Sequence, residues 1–333
     1  MTDLMTKHYL SSCKKDKPYS FSENESLEKQ KKAMEDCYRK LLKMPEDVTE
    51  SVPQIEYERK DNEEFDEIRF TFESEKGFFI PAHLLIPKDI DRNKKLPVVI
   101  CLQGHSSGMH ISIGRPIYPN DQKTIDGDRD FARQAVRQGY IAVAMEQRGL
   151  GELKTGVPDG KNCHQIAFQS LMVGHTLLGE RIFDISKLID CLSYFEYIDM
   201  DRIAIMGNSG GGTASYHAAC VEPRIHAVLA SCSFNRYDRS IMVMNHCACN
   251  YIPGILQYME MPDLAVMIAP RPLLIVSGRE DTIFPIDAAK EGFETVKKIY
   301  EKAGAADNCK MVIGEGGHRF YSADAWPIFS QMI

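Results

Sequence analysis

The spacing of hydrophobic residues changes twice along this chain. Between 25 and 45, Leu27, Met34, Tyr38, Leu41 and Leu42 fall on one side of a 3.6-residue period, with lysines and glutamates around the rest. That spacing predicts an amphipathic helix. After Pro53 the period drops to two: Ile68, Phe70 and Phe72 alternate with polar residues up to a turn at Glu75-Lys76-Gly77, and an apolar run from 78 to 86 ends at Pro87. This predicts an antiparallel hairpin. From Leu96 onward, short apolar runs at 97–102, 140–145, 202–206, 227–231, 273–277 and 310–313 are separated by helical stretches near 128–138, 179–196, 211–221 and 287–303. Strands that are apolar on both faces and alternate with helices belong in a parallel sheet covered on both sides. The helix at 179–196 carries Ile182, Ile185, Leu188, Ile189 and Leu192 on one stripe, and the last helix is bounded by Asp287 as an N-cap and Gly304 as its terminal glycine. The expected fold class is α/β, with a mostly parallel central sheet, antiparallel strands at its N-terminal end and helices on both faces.

At 333 residues and 44% hydrophobic, the chain can bury a large core. The expected organisation is an N-terminal helical arm, 1–60, packed on an α/β domain, 61–333. That arm packs on its own domain or on a second copy of the chain, which leaves a homo-oligomer open. Two stretches, 103–127 and 233–268, interrupt the alternation with connections rich in His, Met, Tyr, Pro and Gly, and the second reads as an active-site loop insertion. Both follow the carboxyl ends of predicted parallel strands, where open α/β sheets place their ligands. A net charge of -7 without a basic stripe argues against a nucleic-acid partner. No run approaches the ~20 apolar residues that span a bilayer, and residues 1–22 hold no apolar leader core, so no membrane association is expected. Ten cysteines scattered through predicted elements fit reduced thiols in a cytoplasmic protein.

Candidate chemistry centres on 202–213, RIAIMGNSGGGT. A strand stops at Gly207-Asn208-Ser209-Gly210-Gly211, and the glycines two residues to either side of Ser209 let the chain turn sharply into a helix. Ser209 is the candidate nucleophile, and the N–H of Gly210 is placed to hold an oxyanion. A serine hydroxyl needs a base, and the base needs a group that fixes its tautomer. His318 follows the final strand in a glycine-flanked loop and is the candidate base. Asp281, after the strand at 273–277, is the candidate acid, with Glu280 and Asp238 as rivals. The run VVICLQGHSSG brings Gln103 and Gly104 to the pocket and nominates the N–H of His105 as the second oxyanion donor. Tyr251, Ile252, Pro253 and Tyr258 are expected to wall the pocket. His246-Cys247-Ala248-Cys249 offers metal-ligand residue types without a second paired cluster, so a packed loop rather than a metal is expected there. Arg148, Glu152 and the Glu180-Arg181 pair are expected to brace the loops. No phosphate-binding or dinucleotide motif appears, so no cofactor is implied.

From about residue 80 to the end, the chain resembles the α/β-hydrolase superfamily, specifically the branch of dienelactone-hydrolase-like proteins and acetyl xylan esterases. The resemblance rests on LQGH at 102–105, EQRGLGE at 146–152, GNSGGG at 207–212, APRPLLIVSGREDTIFP at 269–285 and GGHRF at 316–320. It implies a triad of Ser209, Asp281 and His318 and hydrolysis of a small-molecule or oligosaccharide ester through an acyl-enzyme. Ser209 stands where dienelactone hydrolases proper carry cysteine, and Gln103 stands where many esterases have histidine. A prolyl-oligopeptidase-like peptidase and a hydrolase-fold binding protein are the alternatives.

Overall fold

The computed structural model describes residues 3–13, 16–88, 90–91, 94–154 and 163–333. Residues 1–2 and 14–15 of the expected arm lie outside that set. The helices are α1 (Leu4–Ser12), α2 (Leu27–Leu42), α3 (Asp121–Thr124), α4 (Phe131–Arg137), α5 (Cys163–Met172), α6 (Leu177–Leu192), α7 (Gly210–Val221), α8 (Ala265–Ile268), α9 (Ile286–Lys302) and α10 (Ser322–Phe329). The strands are β1 (Gln54–Arg59), β2 (Phe65–Glu75), β3 (Phe78–Pro87), β4 (Leu96–Leu102), β5 (Ile141–Met145), β6 (Ile198–Asn208), β7 (Ile225–Ser231), β8 (Leu273–Gly278) and β9 (Cys309–Gly314).

These strands form one sheet in the order β1-β2-β3-β5-β4-β6-β7-β8-β9. The first three are antiparallel, β3 joins β5 antiparallel, and every pairing from β5 to β9 is parallel. Alternate residues of each central strand serve opposite faces. In β4, Val98, Ile100 and Leu102 join the core beneath α2, α6, α7, α8 and α9, whereas Val99 and Cys101 join the core beneath α4 and α10. Central strands therefore carry no polar face, which is why they read as unbroken apolar runs.

The N-terminal helix α2 buries Met34, Tyr38 and Leu42, each contributing roughly 1.5–3 kcal/mol of burial. Tyr38 also hydrogen-bonds Nδ1 of His217 on α7, and Arg39 caps the Val221 carbonyl at 2.5 Å. By contrast, α1 buries none of its residues. Strand β1 escaped the hydrophobic pattern because it is an edge strand with exposed side chains on both faces. Helix α9 begins at Ile286 with Pro285 as N-cap, so Asp287 is not the cap. It lies in the first turn, where a carboxylate complements the helix dipole. Among the described residues no helix is long and apolar enough to cross a membrane.

Candidate active site

Strand β6 ends at Asn208 and α7 begins at Gly210, so Ser209 alone makes the turn. Its φ of 56° and ψ of −124° lie outside the basins open to a residue with a Cβ, at a cost of roughly 1–3 kcal/mol. Backbone bonds at both ends hold it there. The Ser209 N–H donates to the Ser231 carbonyl at 2.8 Å, and the Ser209 carbonyl accepts from the Thr213 N–H at 2.8 Å.

Asp281 and His318 come from the loops after β8 and β9, the same rim of the sheet. Oδ2 of Asp281 lies 2.8 Å from Nδ1 of His318, while Oδ1 accepts the N–H groups of Ile283 and Phe284 at 2.8 and 3.0 Å. Burial pushes the Asp281 carboxyl up, but the His318 hydrogen bond and the two N–H donors outweigh it and hold the group below its ordinary value. An ionised Asp281 accepts a hydrogen bond from Nδ1–H of His318, which keeps the proton on Nδ1 and leaves Nε2 as an acceptor. Phe284 stacks on the His318 ring at 5.9 Å between centroids. Neither rival acid meets the histidine: Glu280 is exposed with its N–H on Gly316, and Asp238 pairs with Arg236 at 2.7 Å. Among the described residues no hydrogen bond joins Ser209 to His318, a contact that commonly tightens only when substrate binds.

The loop after β4 approaches this turn closely. A Cβ on Gly104 would stand 2.7 Å from the Asn208 carbonyl oxygen and 3.0 Å from Ser209 Cβ. His105 follows immediately, and its backbone N–H and that of Gly210 have no acceptor among the described residues. Gln103 turns the other way: its Nε2 donates to Oε1 of buried Glu146 at 2.7 Å. It therefore supports the loop from below instead of facing the pocket. Burial pushes the Glu146 carboxyl up to about 7, against N–H donors from Met109, Glu152 and Gln147. Two residues on, Arg148 bridges Asp184 through Nε at 2.8 Å and Nη2 at 2.7 Å, and also reaches Glu75 and Glu180. Glu152 pairs with Arg69 at 2.7 Å. The bracing expected of these charged residues is thus built from partners on β2 and α6.

His105 and His318 share a cavity of about 590 Å³ with Ser106, Tyr118, Lys123 and Arg129, among others. Arg129 Nη2 donates to the His318 carbonyl at 3.2 Å. Tyr118, Lys123 and Arg129 were not singled out by sequence. For Tyr118 and Lys123 the only signal was that 103–127 is too long for a simple connection, and Arg129 falls just beyond it, in the stretch expected to be helical. Tyr251, Ile252 and Pro253 line a different cavity, of about 320 Å³, with Tyr9 and Cys13 of the N-terminal segment. Tyr258 stacks on Tyr19 at 6.3 Å. None of these four lines the His105–His318 cavity, because the N-terminal segment offers them apolar partners on the far side of the insertion.

The Cys247 and Cys249 thiols meet the His105 ring and Cys163, with the four ligand atoms within 4.8 Å of one another. The neighbouring His246 is not part of this group. It turns to Ser240 Oγ at 3.0 Å and to the edge of Phe284. Sequence reading lacked this arrangement because its partners are distant in the chain.

A model of the Abhydrolase family matches residues 5–313. The chain belongs to this family. Among curated relatives of this Abhydrolase chain is a Bacillus subtilis protein named as a hydrolase, YtaP, 25% identical over 246 residues that span 72% of this chain and 77% of the relative. Solved structures share the fold. A Bacteroides fragilis protein described as an acetyl xylan esterase superposes with a TM-score of 0.76 at 19% identity, covering 93% of this chain and 81% of that one. Acetyl xylan esterase 1 from a Thermoanaerobacterium species gives 0.61 at 20% identity over 90% and 92% of the two chains. A glucuronoyl esterase from Solibacter usitatus gives 0.68 at 14% identity over 91% of each.

Proposed function

We propose that this Abhydrolase protein is a serine hydrolase that cleaves carboxylic esters of carbohydrates through an acyl-enzyme. The carrying observation is the pairing of buried Asp281 with half-buried His318, 2.8 Å apart, on the rim that also bears the strained Ser209 turn. His318 Nε2 takes the Ser209 proton as Oγ attacks the ester carbonyl, and Asp281 stabilises the imidazolium. The N–H groups of His105 and Gly210 receive the developing oxyanion, each worth roughly 3–4 kcal/mol. Protonation of the leaving alkoxide by His318 gives the acyl-enzyme, and water resolves it by the same steps in reverse. A carbohydrate ester is favoured because structural relatives are named as acetyl xylan and glucuronoyl esterases. The polar cavity with Tyr118, Lys123 and Arg129 suits a sugar better than a long acyl chain. The unbridged cysteines fit a cytoplasmic location.

Labelling by a fluorophosphonate probe tests the nucleophile: wild type should label and Ser209→Ala should not. Equal labelling of the two removes the assignment. Rates on acetylated xylo-oligosaccharides, uronate esters and prolyl amides then sort the substrate class, and faster cleavage of prolyl amides would favour a peptidase.

A further inference from the structure

We infer that His105, Cys163, Cys247 and Cys249 form a structural zinc site that ties the loop after β4 to the insertion at 233–268. Their ligand atoms come from three separate segments and all lie within 4.8 Å of one another. His105 Nε2 is 3.0 Å from Cys249 Sγ, and Cys249 Sγ is 3.3 Å from Cys247 Sγ. A tetrahedral zinc with Zn–S near 2.3 Å and Zn–N near 2.0–2.1 Å needs ligand atoms about 3.3–3.8 Å apart, so small adjustments seat the ion. A disulfide needs about 2.05 Å, and all ten cysteines are free thiols. Three thiolates and one imidazole are a closed structural zinc donor set, with no position left for water.

Charge balance supports the same reading independently. Arg181 is 1% exposed, and its guanidinium donates to the Arg148 carbonyl at 3.1 and 2.6 Å and to Cys163 Sγ at 3.1 Å. Among the described residues it has no carboxylate partner. A buried guanidinium needs a nearby anion. Zinc with three thiolates and a neutral imidazole carries one net negative charge, which Arg181 cancels.

The site has a mechanical consequence that rests on the oxyanion role proposed for the His105 N–H. A Cβ on Gly210 would lie 2.7 Å from His105 Cε1, so the ring is packed against the start of α7. Ligation at Nε2 fixes it from the other side. His105 then acts as a positioning residue through its ring.

Elemental analysis of the full chain, expressed with zinc and purified without chelator, tests the proposal. Wild type should hold one zinc per chain, and its cysteines 163, 247 and 249 should resist alkylation until a chelator is added. Cobalt substitution should give the visible bands of a tetrahedral ion together with thiolate-to-cobalt charge transfer. Cys247→Ser and Cys249→Ser should lose the metal, and Cys37→Ser should keep it. If a cluster variant fails to fold, the wild-type cobalt spectrum still decides. Metal-free wild type after zinc loading, a Cys163 disulfide in non-reducing peptide maps, or unchanged zinc in the cluster variants would overturn the site. Loss of labelling at Ser209 with zinc retained would count only against the hydrolase reading.

Discussion

Gly104→Ala is the sharpest test of how the oxyanion donors are positioned. The new methyl would face the Asn208 carbonyl oxygen at 2.7 Å and Ser209 Cβ at 3.0 Å, where ordinary contact begins at 3.4 Å. Both obstacles belong to the turn itself. Ser209 is pinned by its bonds to Ser231 and Thr213, so the loop after β4 must yield by about 0.7 Å. An oxyanion donor works at 2.7–3.1 Å, and a retreat of that size stretches a bond of about 2.9 Å to roughly 3.6 Å, outside hydrogen-bond range. The His105 contribution is then lost. Loss of one such donor lowers kcat by roughly 10²–10³, while overpacking costs roughly 1–3 kcal/mol of stability. Steady-state kinetics on an aryl acetate, with urea denaturation alongside, separates the two effects. Gly127→Ala, at a position that lines the same cavity, serves as a control for stability alone, since nothing lies within 4 Å of the added Cβ. A Gly104→Ala enzyme within threefold of wild-type kcat would refute the placement of His105 as a donor.

Two further outcomes follow from buried charge and a buried imidazole. Arg148→Met leaves Asp184, whose side chain is fully buried, without its bidentate partner, and should cost roughly 3–5 kcal/mol in urea denaturation. A loss below about 1 kcal/mol would mean that water replaces the guanidinium. Burial lowers the His217 pKa to about 3, so the folded state keeps the ring neutral while the unfolded chain binds a proton below its ordinary value of 6.5. Its contribution is therefore complete above pH 6.5 and falls as the pH drops towards 3, by roughly 2–3 kcal/mol between pH 7 and 4.5. His217→Gln should show a shallower loss over that window in chemical denaturation, and parallel curves for the two proteins would contradict the assignment.

The sheet was legible because β4 to β9 are apolar on both faces, so periodicity alone separated them from helices. All six predicted parallel-sheet runs correspond to strands within a few residues. The placement of Ser209, Asp281 and His318 on one rim was legible because each lies within four residues of a strand end, and strand ends are fixed by pattern. The walls of the pocket were not. Tyr118 and Arg129 belong to a connection whose shape is set by contacts such as His110 to Asp121 at 2.9 Å, which have no period. Gln103 was misread as a pocket residue because its partner Glu146 follows another strand. The thiol cluster shows the same limit: Cys247 and Cys249 were visible as a pair, whereas His105 and Cys163 reach them only through the fold. Strand β1 left no signal, since an edge strand exposed on both faces need not alternate.

His105 couples two parts of the molecule that sequence reading treated separately. Its backbone follows Gly104, which is wedged against the serine turn, and its ring lies between Gly210 and Cys249. A shift of the segment around 247–249 is therefore passed through a rigid imidazole to the N–H beside Ser209. The four insertion residues nominated for the pocket line no part of the His105–His318 cavity, so under the proposed mechanism the insertion bears on the rate through this contact. Substitutions at 247 or 249 should then lower kcat with little change in KM, because they move the proposed oxyanion donor and leave the cavity wall at 118–129 intact. A rise in KM at constant kcat would instead place the insertion in substrate binding, as its composition first indicated.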